Sequence, residues 1–411
     1  MKRILVFCSL LSLFFVAGCN RLAVDAARAT NRPVQISAPN IDAAEPSMAA
    51  APDGGFYVAW VNHDAEQADV TLAHFNTDGK MRGSPVRVNR QAGVVTAWRG
   101  DQPSVAVSAN GSVYVVWTAR VEAGDKHGTD LYLSVSNDGG QSFASEVKIN
   151  DDKVPNAHGM HSMAVAKDGR IYVGWLDERN VITPEPSMKG EGHHMESNRD
   201  LFLAYSTDGG RTFSANRKVA SEACPCCKTS LAVSANGTLY AGWRQVLPGN
   251  FRHIAVASST DGGNSFSSPV IVSDDHWVLN GCPVSGPSLS VDSNGSLKVL
   301  WYAAGGGQAP GLYSSESRDK GRSFSPRQLL SQEVVHGTPV LASGKNTAIA
   351  LWQTADTGEI KMRELGTTGS VLSIALNTEL PAGIYLNDRL FVAYIATEKQ
   401  TRSIWLIRAN G

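Results

Sequence analysis

The sequence is short of the features that mark membrane-spanning, helical or nucleic-acid-binding chains. Beyond the N-terminus no apolar run approaches the roughly 20 residues that a transmembrane helix needs, which excludes a helical span through the body of the chain. Charged residues make up only 18% of the 411 positions and no basic stripe gathers them, so no nucleic-acid partner is expected. Apolar residues at helical spacing are absent. Glycine is abundant, at 39 residues, and with low charge and no helical pattern this suits an all-β chain with many tight turns.

The N-terminus is organised differently. Met1-Lys2-Arg3 is a basic start, Ile4 to Val16 is apolar apart from small polar residues, and Val16-Ala17-Gly18-Cys19 follows. This pattern predicts a secretory signal over residues 1–18 rather than a membrane span. Its last four residues resemble the lipobox of bacterial lipoproteins. That resemblance implies that the Cys19 thiol takes a diacylglycerol and becomes the mature N-terminus, anchoring the chain to a membrane. Asn20 in place of Asp implies, by the same resemblance, the outer membrane of the cell envelope, facing the periplasm. Residues 19–32 read as anchor and tether, and 33–411 as the folded domain. Loss of Lys2 and Arg3 leaves 35 basic against 38 acidic residues, a net charge of −3.

A short apolar strand ending in an aromatic recurs seven times: Phe56 to Trp60, Val113 to Trp117, Ile171 to Trp175, Leu239 to Trp243, Leu297 to Trp301, Ala348 to Trp352 and Leu390 to Tyr394. Five copies follow an Asn-Gly or Asp-Gly pair: Asp53-Gly54, Asn110-Gly111, Asp168-Gly169, Asn236-Gly237 and Asn294-Gly295. Such pairs supply the positive φ of a tight hairpin. Another short strand precedes each turn, as in Pro103-Ser104-Val105-Ala106-Val107, so these are the first and second strands of a repeated unit.

A second motif completes the unit. Ser136 to Phe143 has the pattern Ser-x-Asp-x-Gly-x-x-Phe and recurs as Ser206 to Phe213, Ser259 to Phe266 and Ser317 to Phe324. It resembles the Asp box of sialidase-type (BNR) repeats. Asp138, Asp208, Asp261 and Asp319 are expected to accept backbone N–H bonds across a hairpin turn, a structural role rather than a catalytic one. Repeats of this kind imply an all-β propeller of four-stranded blades. Seven aromatic-ended strands predict seven blades, whereas the sialidases of the resemblance have six, the alternative. The last unit lacks an outer strand, and Pro33-Val34-Gln35-Ile36-Ser37 resembles the outer strands Pro85 to Val88 and Pro269 to Ser273. An N-terminal strand closing the last blade is therefore expected.

Antiparallel strand order puts the Asp boxes on one face and the long loops on the other. Those loops are Val94 to Gln102, Asp151 to His161, Leu176 to Asp200, Ser221 to Thr229, Arg244 to Arg252, Ser273 to Pro287 and Tyr302 to Gly311. They carry Cys224, Cys226, Cys227 and Cys282, together with His158, His161, His193 and His194. The four domain cysteines read as two disulfides, with Cys282 bridging to the cluster. Two other readings stay open: a metal site with the histidines, or free thiols. No cofactor is expected if they are bridged. If they are ligands, Met160, Met163, Met188 and Met195 beside the histidines suit copper, with zinc the other candidate.

The sialidase resemblance implies its own test: three arginines clamping a carboxylate, a Tyr nucleophile and an acid. Arg99, Arg179, Arg244, Tyr302 and Asp177 are the candidates for those roles. The Phe-Arg-Ile-Pro opening of sialidase domains is missing. The preferred expectation is thus an exported recognition propeller that binds a glycan or protein ligand in its funnel. A sialidase-like exo-glycosidase and a periplasmic copper- or zinc-binding protein are the alternatives.

Overall fold

A computed structural model describes residues 32–65, 67–96, 100–123, 126–181, 197–305, 309–344, 347–367 and 369–409. Cys19, Arg99, His193 and His194 lie outside the described residues. The described chain is all-β, without a helix.

The strands are β1 (Val34–Gln35), β2 (Asp42–Ala50), β3 (Phe56–Asp64), β4 (Gln67–Phe75) and β5 (Met81–Arg87), then β6 (Ser104–Val107), β7 (Val113–Ala123), β8 (Lys126–Ser136) and β9 (Val147–Lys148). Next come β10 (His158–Val165), β11 (Ile171–Asp177), β12 (Arg199–Ser206), β13 (Arg217–Ala223), β14 (Ser230–Val233), β15 (Leu239–Leu247), β16 (Phe251–Ser259) and β17 (Val270–Ile271). The rest are β18 (Ser288–Val291), β19 (Leu297–Ala303), β20 (Gly311–Ser317), β21 (Gln328–Ser331), β22 (Val335–Ser343), β23 (Ala348–Thr354), β24 (Ile360–Glu364), β25 (Leu372–Ala375), β26 (Thr378–Leu386), β27 (Arg389–Glu398) and β28 (Thr401–Ala409).

Consecutive antiparallel strands form the sheets β2–β5, β6–β9, β18–β21 and β22–β25. Strands β10–β13 and β14–β17 belong to one eight-stranded sheet, joined where Ala223 pairs with Gln245. The remaining sheet runs β26-β27-β28-β1, so the first described strand lies beside the last. Val34 faces Leu406 and Gln35 faces Trp405, and Ile36 N donates to Ile404 O at 2.8 Å. The first strands of successive units pack on one another in chain order: β2 on β6, β6 on β10, β10 on β14, β14 on β18, β18 on β22 and β22 on β26. Strand β26 packs in turn on β2.

The core lies between neighbouring sheets. Val61, Leu72 and Val113, for example, meet between the β2–β5 and β6–β9 sheets. The repeated aromatics are its largest members: all six tryptophans of the second strands are buried, as is Tyr394. A buried indole N–H needs an acceptor, and each has one. Trp60 donates to Asn62, Trp175 to Asp177 and Trp243 to Gln245, at 2.7–2.8 Å. Trp117 donates to Ser134, Trp301 to Asp275 and Trp352 to Glu333.

At the Asp boxes the carboxylate closes a turn. Asp138 Oδ1 accepts the Ser136 hydroxyl at 2.6 Å and the Gln141 and Ser142 backbone N–H groups at 3.0 Å. Asp208, Asp261 and Asp319 repeat the pattern. The carboxyls are held at about 2, by the Ser136 and Ser142 hydroxyls at Asp138 and by their counterparts elsewhere. Gly140 adopts φ +84°, and a Cβ there would press on Tyr57 at 3.0 Å.

Several segments expected as loops are strands. His158 and His161 lie in β10, Arg244 in β15 and Tyr302 in β19. The hairpin from β15 to β16 is only residues 248–250. Long cross-strand ladders extend these hairpins past the aromatic, which periodicity alone does not reveal.

Candidate functional site

The first strands surround a cavity of about 260 Å³ and contribute small polar side chains to it, among them Ser47, Ser104, Ser162, Ser230 and Ser288. Each of these serines opens a short run of the type Ser-x-Ala/Ser-x. Four first strands bulge just before the cavity, between Ala44 and Ser47, between Gly159 and Ser162, between His336 and Val340 and between Glu379 and Ala382. The bulged residues Glu45, Met160 and Leu380 hold positive φ of 54°, 53° and 46°. Bulges of this kind re-aim side chains, and a non-glycine residue at positive φ is strained.

At this level sits a buried charged group. His161 Nδ1 lies 3.1 Å from Asp101 Oδ1, and Lys228 Nζ lies 3.7 Å from the same oxygen. Lys228 also donates to Gln102 O at 2.9 Å, and both Gln102 and Lys228 line the cavity. Burial would push the Asp101 carboxyl up, but His161 and Lys228 hold it below the ordinary value. Burial lowers the Lys228 ammonium, opposed by Asp101. The result is a fixed proton-donating cation with a hydrogen-bonded carboxylate behind it, able to orient a polar ligand.

The cysteine turn follows β13, next to that group. Cys224 N donates to Arg244 O, and Cys227 N donates back to Cys224 O. Cys226 is disulfide-bonded to Cys282. Cys224 and Cys227 are buried free thiols whose sulfurs lie 2.9 Å apart. The hydrogen bond with Cys227 lowers the Cys224 thiol to about 7 against burial, helped by Arg244 and Arg252. Burial pushes Cys227 well above the ordinary range. Arg244 is fully buried: Nε donates to Ser285 O, Nη2 donates to Tyr302 O, and the guanidinium stacks on Trp277.

A separate network lies between β8, β10 and β11. His158 Nε2 is 3.2 Å from Asp152 and 3.3 Å from Asp177. Burial disfavours the charged ring, but the two carboxylates outweigh it and raise His158 to about 9. Asp177 is held below its ordinary value despite burial by His158 and Arg179.

Of the residues considered for a sialidase-like centre, Asp177 and Arg179 touch each other, and Arg244 touches the Tyr302 carbonyl. Asp177 has no exposed surface; its acceptor oxygens serve Trp175, Arg179 and His158. Arg179 is held by Asp177, Asp151 and Asn216. Arg244 has no exposed surface either. Asp177, Arg179 and Arg244 are therefore held in contacts of the framework. Two clusters have metal-ligating atoms within 4.8 Å of one another among the described residues: Cys224, Cys226 and Cys227, and Asp130, Asp152 and His158. Among the described residues no histidine joins the sulfurs. In the second cluster Asn150 and Asn156 amides already donate to the carboxylates, as does Lys148.

Asp101 and Lys228 are not among the residues that the sequence motifs point to. A signal for Lys228 exists: it occupies the place of Glu45 and Gln102, two residues before the repeated serine, in a unit whose other copies hold no cation there.

No family model and no curated protein matches the chain. Solved structures do. A polysaccharide lyase, the ulvan lyase of family PL25 bound to -[GlcA(1-4)Rha3S]-, superposes with a TM-score of 0.56 and 12% identity, covering 92% of this chain and 97% of the lyase. The α-L-arabinanase of Penicillium chrysogenum, complexed with arabinobiose, gives 0.50 and 14%, covering 75% and 93%. A Hadza microbial sialidase gives 0.48 and 14%, covering 86% and 76%. The lyase and arabinanase matches show a likeness of fold.

Proposed function

We propose that the chain is an exported, lipid-anchored recognition protein, a seven-bladed β-propeller that binds a glycan at the mouth of its axis. The blade count is supported by seven buried second-strand aromatics and by the cycle of packed first strands from β2 to β26 and back. Closure through the N-terminal strand is supported by the pairing of β1 with β28. One observation carries the binding reading. The axial cavity is walled by serines from successive first strands, with Gln102 and Lys228 as its hydrogen-bonding groups. A surface of hydroxyls with a few placed polar groups suits a ligand that is itself rich in hydroxyls. The two matched structures that carry the fold both hold glycans. Recognition is favoured over cleavage because Asp177, Arg179 and Arg244 are each taken up by framework contacts, and none of them lines the cavity.

The test is binding of defined neutral and acidic oligosaccharides by the wild type and by Lys228→Ala, with product analysis of the same mixtures. Binding that falls about tenfold or more in the variant, a loss typical of one hydrogen-bonded charge, supports the reading. Absence of binding across the panel, binding indifferent to Lys228, or release of shorter sugars would each overturn it. The anchor has its own test: Cys19→Ala should leave the protein out of the membrane fraction. Normal maturation and fractionation of that variant would refute lipidation.

A further inference from the structure

Four sulfur atoms form a path from the surface into the core. Cys282 is exposed and bonded to buried Cys226. Cys226 Sγ lies 3.8 Å from Cys224 Sγ, which lies 2.9 Å from Cys227 Sγ. Cys224 and Cys227 are each 1% exposed, so a reagent outside the protein meets Cys282 first. The sequence Cys224-Pro225-Cys226-Cys227 turns back on itself, which brings its two ends into bonding range.

Two buried guanidiniums accompany the path. Arg244 and Arg252 are 0% and 3% exposed, and Arg244 Nη1, Arg252 Nε and Arg252 Nη1 have no hydrogen-bond acceptor. Among the described residues no carboxylate pairs with either. A buried cation needs an anion close by, and a Cys224 thiolate is one. The same cations oppose a metal ion on the three sulfurs.

We propose that Cys224 and Cys227 are a redox couple, dithiol in the state described and disulfide when oxidised, that exchanges electrons with a partner dithiol through the surface-accessible Cys226–Cys282 bond. The inference is independent of glycan binding. Starting from the form with both disulfides, a partner thiolate attacks Cys282 Sγ, and Cys226 leaves as a thiolate. Cys226 attacks Cys224, forming Cys224–Cys226 and releasing Cys227, which takes a proton. The partner's second thiol then closes the partner disulfide and frees Cys282. Cys282 attacks Cys226, restoring Cys226–Cys282 and releasing Cys224 as a thiolate beside the arginines. In sum the partner dithiol is oxidised by two electrons and the Cys224–Cys227 disulfide is reduced to the dithiol. A sulfur stabilised as thiolate is a good leaving group, which suits Cys224 to the last step.

The experiment uses the full chain, oxidised with excess glutathione disulfide, then exposed briefly to reduced glutathione, acid-quenched, alkylated and mapped by mass spectrometry. The expected oxidised form has no free thiol among Cys224, Cys226, Cys227 and Cys282. The first adduct forms on Cys282, and a form with free Cys224 and Cys227 and an intact Cys226–Cys282 bond follows. In a Cys226→Ala/Cys282→Ala variant with native circular dichroism, reduction of Cys224–Cys227 by dithiothreitol slows about tenfold or more because the accessible entry is gone. If that variant does not fold, the order of adducts in the wild type decides. A first adduct on Cys224 or Cys227, failure to form Cys224–Cys227, an unchanged rate in the variant, or one equivalent of copper or zinc on the purified thiols would overturn the proposal.

Discussion

Arg402 and Asp42, 360 residues apart in the chain, form a two-point ion pair, with Nε 2.9 Å from Oδ1 and Nη2 2.6 Å from Oδ2. The pair ties β28 to β2 and flanks the β1–β28 ladder. It is about one-third exposed, so it contributes modestly. Arg402→Ala should cost on the order of 1 kcal/mol. Deleting residues 33–37 should cost more, roughly 3 kcal/mol, because it removes ladder hydrogen bonds and the buried Ile36 together. Denaturant midpoints of the two variants check both the order and the size. Equal stability of the deletion and the wild type would refute the structural role of β1.

The His158 network predicts an alkaline loss of stability. His158 is raised to about 9 in the fold, against about 6.5 unfolded. Its contribution is therefore complete below about pH 6.5 and disappears as pH rises through about 9. Asp152 and Asp177 are lowered, so their contribution is present above about pH 4 and fades in acid. His158→Gln should flatten the alkaline limb, the difference from wild type amounting to on the order of 3 kcal/mol at most. Urea unfolding of both proteins at several pH values checks this, and comparison of the pair removes the thiol contribution common to both.

The Asp boxes predict a loss of stability without a loss of binding. Asp138→Ala removes the acceptor of two backbone N–H groups and two hydroxyls in an exposed turn. The cost should be about 1–2 kcal/mol. The β8–β9 turn lies at the opposite strand ends from His161 and Lys228, so ligand affinity should not change. Thermal melting and a binding titration of the one variant separate the two effects.

How much of this could be read from the sequence follows from which features are local. The Asp-box turns, the aromatic strand ends and the Val34–Gln35 strand were legible because each is a short pattern repeated in the chain. The polar partner of the tryptophans was also written there, as Trp60-Val61-Asn62, Trp175-Leu176-Asp177 and Trp243-Arg244-Gln245. Read as loop residues, Asp177 and Arg244 resemble catalytic groups. Read as the positions beside a buried indole, they belong to the framework. Asp101, His161 and Lys228 meet only when β10 packs beside the segments that lead into β6 and β14, so no local pattern joins them. The pairing of Cys226 with Cys282 was narrowed by the adjacency of Cys226 and Cys227, whereas the buried arginines beside the thiols needed three dimensions.

Arg244 also allows a direct electrostatic prediction. Four causes lower the Cys224 thiol to about 7: first the hydrogen bond with Cys227, then Arg244, then Arg252, then the Cys226 backbone N–H, all acting against burial. Arg244→Met keeps the bulk of the side chain and removes its charge. The thiolate absorbance of Cys224 should then titrate about one pH unit or more higher, towards the ordinary thiol value of about 8.5. Arg252→Met should shift it the same way by less. Cys227 does not interfere, since burial keeps it protonated well above that range. The linkage sign is definite: a lowered thiol stabilises the fold at alkaline pH, and that contribution is lost as pH falls through about 7. Arg244→Met should accordingly lose stability at about pH 8.5 relative to about pH 6, measured against wild type. A thiolate midpoint that stayed at the wild-type value in Arg244→Met would show that the charge of Arg244 does not set it, and would remove that buried arginine from the chemistry of this site.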